Sequence, residues 1–189
     1  MKTQYAYLYA PMIKDSIVDG EGIRSVIWFQ GCPHHCPGCH NPQSHKFNTG
    51  IKTTTAKMIK EISSLTNQDG ITFSGGEPFS QPETLLELVK YTKERNLNVW
   101  IYTGFLYETL LDMARLDSIY LDILKYTDVL VDGKFEIVNK NLLLKFRGSS
   151  NQRIIDVKKS LNKGGAVQIA KYKYRPSPCL KTTHNVIYI

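Results

Sequence analysis

Short runs rich in β-branched and aromatic residues alternate along the chain with stretches whose apolar residues recur at helical spacing. Tyr5 to Tyr9 and Ile23 to Phe29 have strand length and composition, and the second ends at Gly31, just before a cysteine. Over Thr54 to Leu65 the apolar residues Met58, Ile59, Ile62 and Leu65 share one helical face, with Thr53 to Thr55 available as caps. Ile71 to Ser74 reads as a strand that runs directly into Gly75-Gly76-Glu77-Pro78. A second helix is predicted from near Gln81-Pro82-Glu83, where proline suits a first turn, and it carries Leu85, Leu86, Leu88 and Val89. Asn98 to Tyr102 reads as a strand stopping at Thr103-Gly104, and residues 107 to 116 as a helix. Asp128 to Val131 reads as a strand ending at Asp132-Gly133, and Gln152 to Leu161 as a last helix.

Strand and helix in turn predict an α/β fold whose parallel strands are joined by right-handed crossovers. The glycine-rich punctuation falls at the carboxyl ends of the strands, where such folds place their sites. At 189 residues the chain is one domain, too short for a complete eightfold β/α barrel, which takes roughly 250. No internal repeat or low-complexity linker interrupts it. The one boundary, Lys163-Gly164-Gly165, divides a body of residues 1 to 163 from a basic extension of residues 164 to 189, in which Val186 to Ile189 reads as a strand closing the sheet edge.

Charge sharpens that division. The net charge is +7, yet residues 1 to 156 hold 17 of the 24 Lys and Arg and all 17 Asp and Glu, so the basicity belongs to the tail. A neutral body excludes a nucleic-acid groove as the working face, because phosphate binding needs clustered cations there. With 42% hydrophobic and 22% charged residues, disorder is excluded, and no apolar run approaches the roughly 20 residues of a bilayer span. The first residues contain no apolar stretch of signal-peptide length, so a cytoplasmic location with no membrane partner is expected.

Cys32, Cys36 and Cys39 fall in the segment Gly31 to His40 with the spacing C-x3-C-x2-C, while Cys179 stands alone. A tight triplet in a cytoplasmic protein reads as metal binding rather than as a disulfide framework. Structural zinc sites take four ligands, usually in two short-spaced pairs, and the second pair is missing. One reading is a zinc knuckle completed by His34, His35, His40 or His45. The other is a four-iron cluster held by three thiolates, with one iron open to substrate.

The C-x3-C-x2-C loop after a strand resembles the signature of the radical S-adenosylmethionine enzymes, and Ser74-Gly75-Gly76-Glu77-Pro78 resembles their second element. Val18-Asp19-Gly20-Glu21-Gly22-Ile23-Arg24, Phe29-Gln30-Gly31-Cys32 and Cys39-His40-Asn41-Pro42 are similar to enzymes that activate glycyl radical proteins. Trp100 to Gly104, Val129 to Phe135 and Arg147 to Arg153 resemble, more narrowly, the activating proteins of anaerobic (class III) ribonucleoside-triphosphate reductases. The likeness runs from about Tyr5 to about Leu161; Gly164 to Ile189 has no counterpart.

The resemblance implies an incomplete (β/α) barrel of parallel strands, with the site at their carboxyl ends. It implies a [4Fe-4S] cluster on Cys32, Cys36 and Cys39, with S-adenosylmethionine chelating the fourth iron. Electron transfer to the sulfonium would yield methionine and a 5′-deoxyadenosyl radical, which removes a hydrogen atom from a glycine of the reductase. The partners implied are that large glycyl radical protein and a low-potential electron donor such as flavodoxin. An activase of a formate-lyase-type enzyme and a non-catalytic zinc or iron-sulfur module are the alternatives.

Carried onto this chain, the resemblance puts Gly75, Gly76 and Glu77 at the methionine amino group, and Gly38, Cys39 and His40 beside the cofactor in the cluster loop. Thr103 is placed at the nucleoside, Asp132 and Lys134 at ribose and carboxylate, and Asn151 with Arg147 at the edge of the pocket. Arg24 and Asp19 are read as shaping its mouth or pairing on the surface. No catalytic side chain is expected beyond the cluster and cosubstrate, and no cluster role for Cys179.

Overall fold

The computed structural model describes residues 4–174. A single seven-stranded sheet organises them, comprising β1 (Tyr5–Ser16), β2 (Arg24–Phe29), β3 (Ile51–Thr54), β4 (Gly70–Gly75), β5 (Asn98–Tyr102), β6 (Val129–Asp132) and β7 (Arg153–Asp156). Five helices accompany it: α1 (Thr55–Ser63), α2 (Pro82–Glu94), α3 (Tyr107–Leu116), α4 (Ile119–Lys125) and α5 (Val157–Lys163). The spatial order is β3-β1-β2-β4-β5-β6-β7. Only the central strands β2, β4, β5 and β6 are parallel; β1, β3 and β7 run antiparallel to their neighbours. The expectation of an all-parallel sheet is thus corrected to a mixed one. Antiparallel neighbours need no crossover helix, and β1 returns into β2 after a short loop.

Two local expectations change for physical reasons. β1 is 12 residues long, more than twice the predicted Tyr5 to Tyr9 run, because its second half is largely solvent-facing and lacks an apolar face to announce it. Residues 152 to 161 are not one helix: Arg153–Asp156 pairs with β6, and the helix begins only at Val157. Adjacent Ile154 and Ile155 are both buried, one on each face of the sheet, and Asp156 caps the helix by accepting from the Lys159 N–H at 3.0 Å. α1 and α2 start where the sequence signals them, with the Thr54 hydroxyl accepting from the Lys57 N–H at 3.2 Å and Pro82 opening α2, whereas β3 and α4 have no counterpart in the sequence reading.

The helices cover one face of the sheet. There Ile27, Phe29, Ile71, Phe73, Val99, Ile101, Leu130 and Ile155 pack against Met58, Ile62, Leu85, Leu88, Val89, Leu110, Ile123 and Leu124, almost all without solvent exposure. The other face has a small apolar cluster of Trp100, Val129, Val131 and Ile154, topped by Phe146, Ile169 and Tyr172. The extension begins there: Ile169 N–H donates to Ile154 O at 2.8 Å, and Tyr172 packs edge-on to Trp100 and Phe146. Cys179 and the edge strand expected over Val186 to Ile189 lie outside the described residues.

Candidate functional site

The carboxyl ends of β2, β4, β5 and β6 open into a cleft of about 450 Å³. The first wall is the cysteine loop, which leaves β2 through Gln30 and Gly31. Gln30 is buried and donates to the carbonyls of Gln43 and Lys46 and to the Thr49 hydroxyl. The N–H groups of Gly31 and Cys32 donate to Ser44 O at 2.7 Å and His45 O at 3.0 Å, which folds the loop back over the strand end. Cys36 and Cys39 are joined by a turn in which Cys39 N–H donates to Cys36 O, and the Cys39 sulfur accepts from Asn41 N–H at 3.4 Å.

All three thiols are free and line the cleft. Burial pushes the Cys32 thiol up to about 11, and burial also raises Cys36. Both would therefore bind iron by exchanging a proton for the metal. Among the described residues no three His, Cys, Asp or Glu side chains are gathered closely enough to hold one metal ion. Thiolates on a cubane each meet a different iron, so three thiols spaced along one wall suit a cluster's donor set.

The second wall is the end of β4. Gly75 has φ +107°, and a Cβ there would lie 2.5 Å from Phe29 O; one at Gly76 would lie 2.4 Å from Gly31 O. The glycine pair is thus required by the close approach of this strand end to the root of the cysteine loop, and it leaves bare backbone facing the cleft. The floor comes from Trp28 and Tyr102. The Trp28 Nε1 is buried without a partner, as is the Nε of Arg147 on the far side, so two donors are left for a ligand with acceptor oxygens. Desolvation keeps the Tyr102 hydroxyl protonated well above its ordinary range.

The other expected residues divide into those at the cleft and those beside it. His40 lines it, its ring 5.1 Å from that of Phe135, and so does Thr103. Gly38 is exposed and turned toward Ile137; Lys134 is exposed and outside the lining. Asn151 also lies outside it, donating to Lys134 O at 2.9 Å. Asp132 is fully buried, accepting from Tyr107 N–H at 2.8 Å and from Arg153 Nε at 2.9 Å. Glu77 is fully buried too, its carboxylate turned into the protein. Asp19 does border the cleft, whereas Arg24 is buried at the opposite end of the sheet.

Sequence reasoning gave no role to Gln152, whose Oε1 accepts from Gly148 N–H and whose Nε2 donates to Gly133 O, pinning the Arg147 segment to the end of β6. It weighed His34 only as a zinc ligand. No periodicity marks either residue, since both lie in irregular segments.

The family described as a 4Fe-4S single cluster domain matches residues 18–155 of this chain. An iron-sulfur protein is therefore the class that site and sequence define. The anaerobic ribonucleoside-triphosphate reductase-activating protein of Pasteurella multocida is 33% identical over 155 residues, covering 77% of this chain and 95% of the relative. Its counterpart in Haemophilus influenzae is 32% identical, covering 77% and 96%, and that of Enterobacteria phage T4 is 36% identical, covering 72% and 86%. The chain belongs to the family of anaerobic ribonucleoside-triphosphate reductase-activating proteins. Among solved structures, QueE from Escherichia coli matches 53% of this chain and 52% of its own at 17% identity and a TM-score of 0.44. Among the described residues, no helix is long and apolar enough to cross a membrane.

Proposed function

We propose that the protein activates an anaerobic ribonucleoside-triphosphate reductase by radical S-adenosylmethionine chemistry, at a [4Fe-4S] cluster held by Cys32, Cys36 and Cys39. The observation that carries this reading is the alignment of the three thiols and the bare Gly75-Gly76 backbone along one cleft, in a chain of this family. When bound, the cluster supplies one electron to the sulfonium of S-adenosylmethionine, so that a hydrogen atom can be taken from a glycine of the reductase.

The chain's own residues chelate, orient and exclude. Cys32, Cys36 and Cys39 would hold the cluster and leave it one iron able to take the cosubstrate's amino and carboxylate groups, and the glycine pair would let that end approach the backbone. Trp28 Nε1 and Arg147 Nε, buried without partners, would donate hydrogen bonds to its oxygens above a floor of Trp28 and Tyr102. Asp132, Lys134 and Asn151 hold the strand-end loops that border the nucleoside, and Gly38 and Cys39 hold the turn that faces it. The body, residues 1 to 163, is read as an incomplete barrel open toward a large glycyl radical protein. It is read as cytoplasmic, with a low-potential donor such as flavodoxin.

Anaerobic reconstitution with iron and sulfide tests this reading. The expected result is a brown protein that, once reduced, converts S-adenosylmethionine to methionine and 5′-deoxyadenosine and leaves a glycyl radical signal on the reductase. A colourless protein carrying one zinc ion, with no cleavage of S-adenosylmethionine, would overturn it.

A further inference from the structure

Between Cys32 and Cys39 the chain is mostly at the surface: Pro33, His35, Pro37 and Gly38 are all exposed. Cys36 is half-buried, and His34 turns inward. Its side chain is 6% exposed, and its Nε2 lies 2.8 Å from Oε2 of Glu77, which is 0% exposed. The ring stands edge-on to Phe105 at 4.5 Å between centroids, and a Cβ at residue 104 would lie 2.3 Å from its Cδ2, so Gly104 leaves the room the ring occupies.

Glu77 gathers its other donors from the ends of two strands. Phe79 N–H donates to Oε1 at 3.1 Å, Gly104 N–H donates to Oε2 at 2.9 Å, and the Thr103 hydroxyl lies 2.9 Å from both oxygens. With backbone N–H groups already pointing at it, the carboxylate acts as acceptor, and the imidazole presents Nε2–H to it. One side chain, centred between two of the three cysteines, is thereby tied to the residue that follows Gly75-Gly76 and to the Thr103-Gly104 turn after β5. The main chain joins the loop to this region only at its root, where Glu77 N–H donates to Gly31 O at 2.8 Å.

We infer that His34 is a positioning residue whose hydrogen bond to the buried Glu77 sets the distance between the cysteine loop and the Gly75-Gly76 wall of the cleft. The inference rests on the function proposed above and goes beyond it by assigning the spacing between the cysteine loop and the Gly75-Gly76 wall to a side chain at the cleft that is not one of the proposed ligands. Pro33 is exposed and the His35 ring meets that of His45, 4.9 Å away in the segment that anchors the loop root, so His34 is the tie that runs from the middle of the loop to the Gly75-Gly76 wall.

Two substitutions separate the hydrogen bond from the packing. His34→Phe keeps a ring against Phe105 and removes the donor; His34→Gln removes the ring and keeps an amide donor. Full-length wild-type and variant proteins are reconstituted anaerobically, and each is measured for iron per chain, equilibrium binding of S-adenosylmethionine and the change it causes in the reduced protein's EPR signal. His34→Phe is expected to keep its iron but to bind S-adenosylmethionine about tenfold or more weakly, the range for losing a partner just outside a metal's ligands, with the EPR change diminished. His34→Gln is expected to stay within about threefold of wild type on the same scale. Unaltered binding and EPR response in His34→Phe would overturn the inference, as would a folded, iron-loaded His34→Gln that loses binding as far as His34→Phe does. Should His34→Phe fail to fold, as an apoprotein thermal melt would show, His34→Gln decides alone: binding within about threefold of wild type supports the inference, and a folded, iron-loaded variant that binds about tenfold or more weakly overturns it. Failure of the underlying function shows differently, as wild-type protein that takes up iron yet binds no S-adenosylmethionine, and that would overturn both.

Discussion

The two faces of the sheet solve different problems. On the helix-covered face the buried layer is mainly apolar, its buried hydroxyls such as Thr92 and Ser160 donating to nearby carbonyls four residues back, and the helices are held by area rather than by particular partners. On the other face, beside the small apolar cluster of Trp100, Val129, Val131 and Ile154, lie buried polar groups most of which are answered by a specific atom, Trp28 Nε1 and Arg147 Nε at the cleft being exceptions. Arg24, 1% exposed, donates to Thr72 Oγ1, Asn98 Oδ1 and the carbonyls of Glu21, Ile71 and Asn98, while lying over the Trp100 ring; burial lowers its guanidinium to about 10. At the opposite end of the same strands, Glu77, Thr103 and the cysteine loop are matched in the same one-to-one way. Burial by area tolerates substitution, whereas burial by pairing does not, because a buried polar atom left alone costs about 1 to 3 kcal/mol. A site that must hold a cluster at fixed spacing belongs on the paired face.

Mutations on the two faces should therefore fail differently. Cys36→Ala is expected to abolish reductase activation completely and to prevent a full cluster from assembling, while the apoprotein melts within a few degrees of wild type, since Cys36 is only partly buried. Leu88→Ala is the opposite case. Leu88 is wholly buried among the helices, so about 3 kcal/mol of stability should be lost, visible in the denaturation midpoint, while the folded fraction assembles its cluster normally. If Leu88→Ala loses the cluster while still folded, the two faces are not independent. Next in size is Gly76→Ala, whose Cβ would press on Gly31 O at 2.4 Å, displacing the root of the cysteine loop. About a tenfold drop in S-adenosylmethionine affinity is expected, with iron content reduced as well, a scale set by displaced ligands' supports. Gly165→Ala, with nothing within 4 Å, is the control that should change neither.

The same contrast explains what could be read in advance. α3 and β5 match their predicted ranges, because Leu110 announces a buried helix face and the unbroken apolar run Val99-Trp100-Ile101 announces a strand buried on both faces. The cysteine triplet and the glycine pair are singled out by residue type and spacing, and the structure brings both to one cleft. Strand direction was not legible: β7 hid inside a helical-looking run because Ile154 and Ile155 fit either period until β6 is known to lie beside them. Nor was the orientation of Glu77. A glutamate after two glycines reads as a ligand for an ammonium group, and only tertiary structure shows its oxygens enclosed by Phe79, Thr103, Gly104 and His34. His34 itself, one histidine of several in a loop, has a partner 43 residues away that no local pattern could name.

The smallest effect tests whether charge, as distinct from hydrogen-bonded burial, joins the two layers. Arg153 on β7 bridges to Glu108 at the start of α3, with Nη2 2.6 Å from Oε2 and Nη1 3.1 Å from Oε1. The hydrogen bond from Arg153 holds the Glu108 carboxyl below the ordinary carboxylate range. A lowered folded-state value means that the pair's contribution is present above the unfolded value, about 4.3 for a glutamate, and is lost as pH falls through the folded one. Because the Glu108 side chain is 52% exposed, solvent screens the pair, and about 0.5 kcal/mol is the expected size at neutral pH. Denaturant midpoints of wild type and Glu108→Gln, followed from pH 7 to pH 3, should start apart by that amount and converge as the carboxyl protonates. Added salt should narrow the gap at pH 7. A difference that persists undiminished at pH 3 would mean that Glu108 stabilises the start of α3 through packing or neutral hydrogen bonds, and that no measurable charge interaction links that helix to β7.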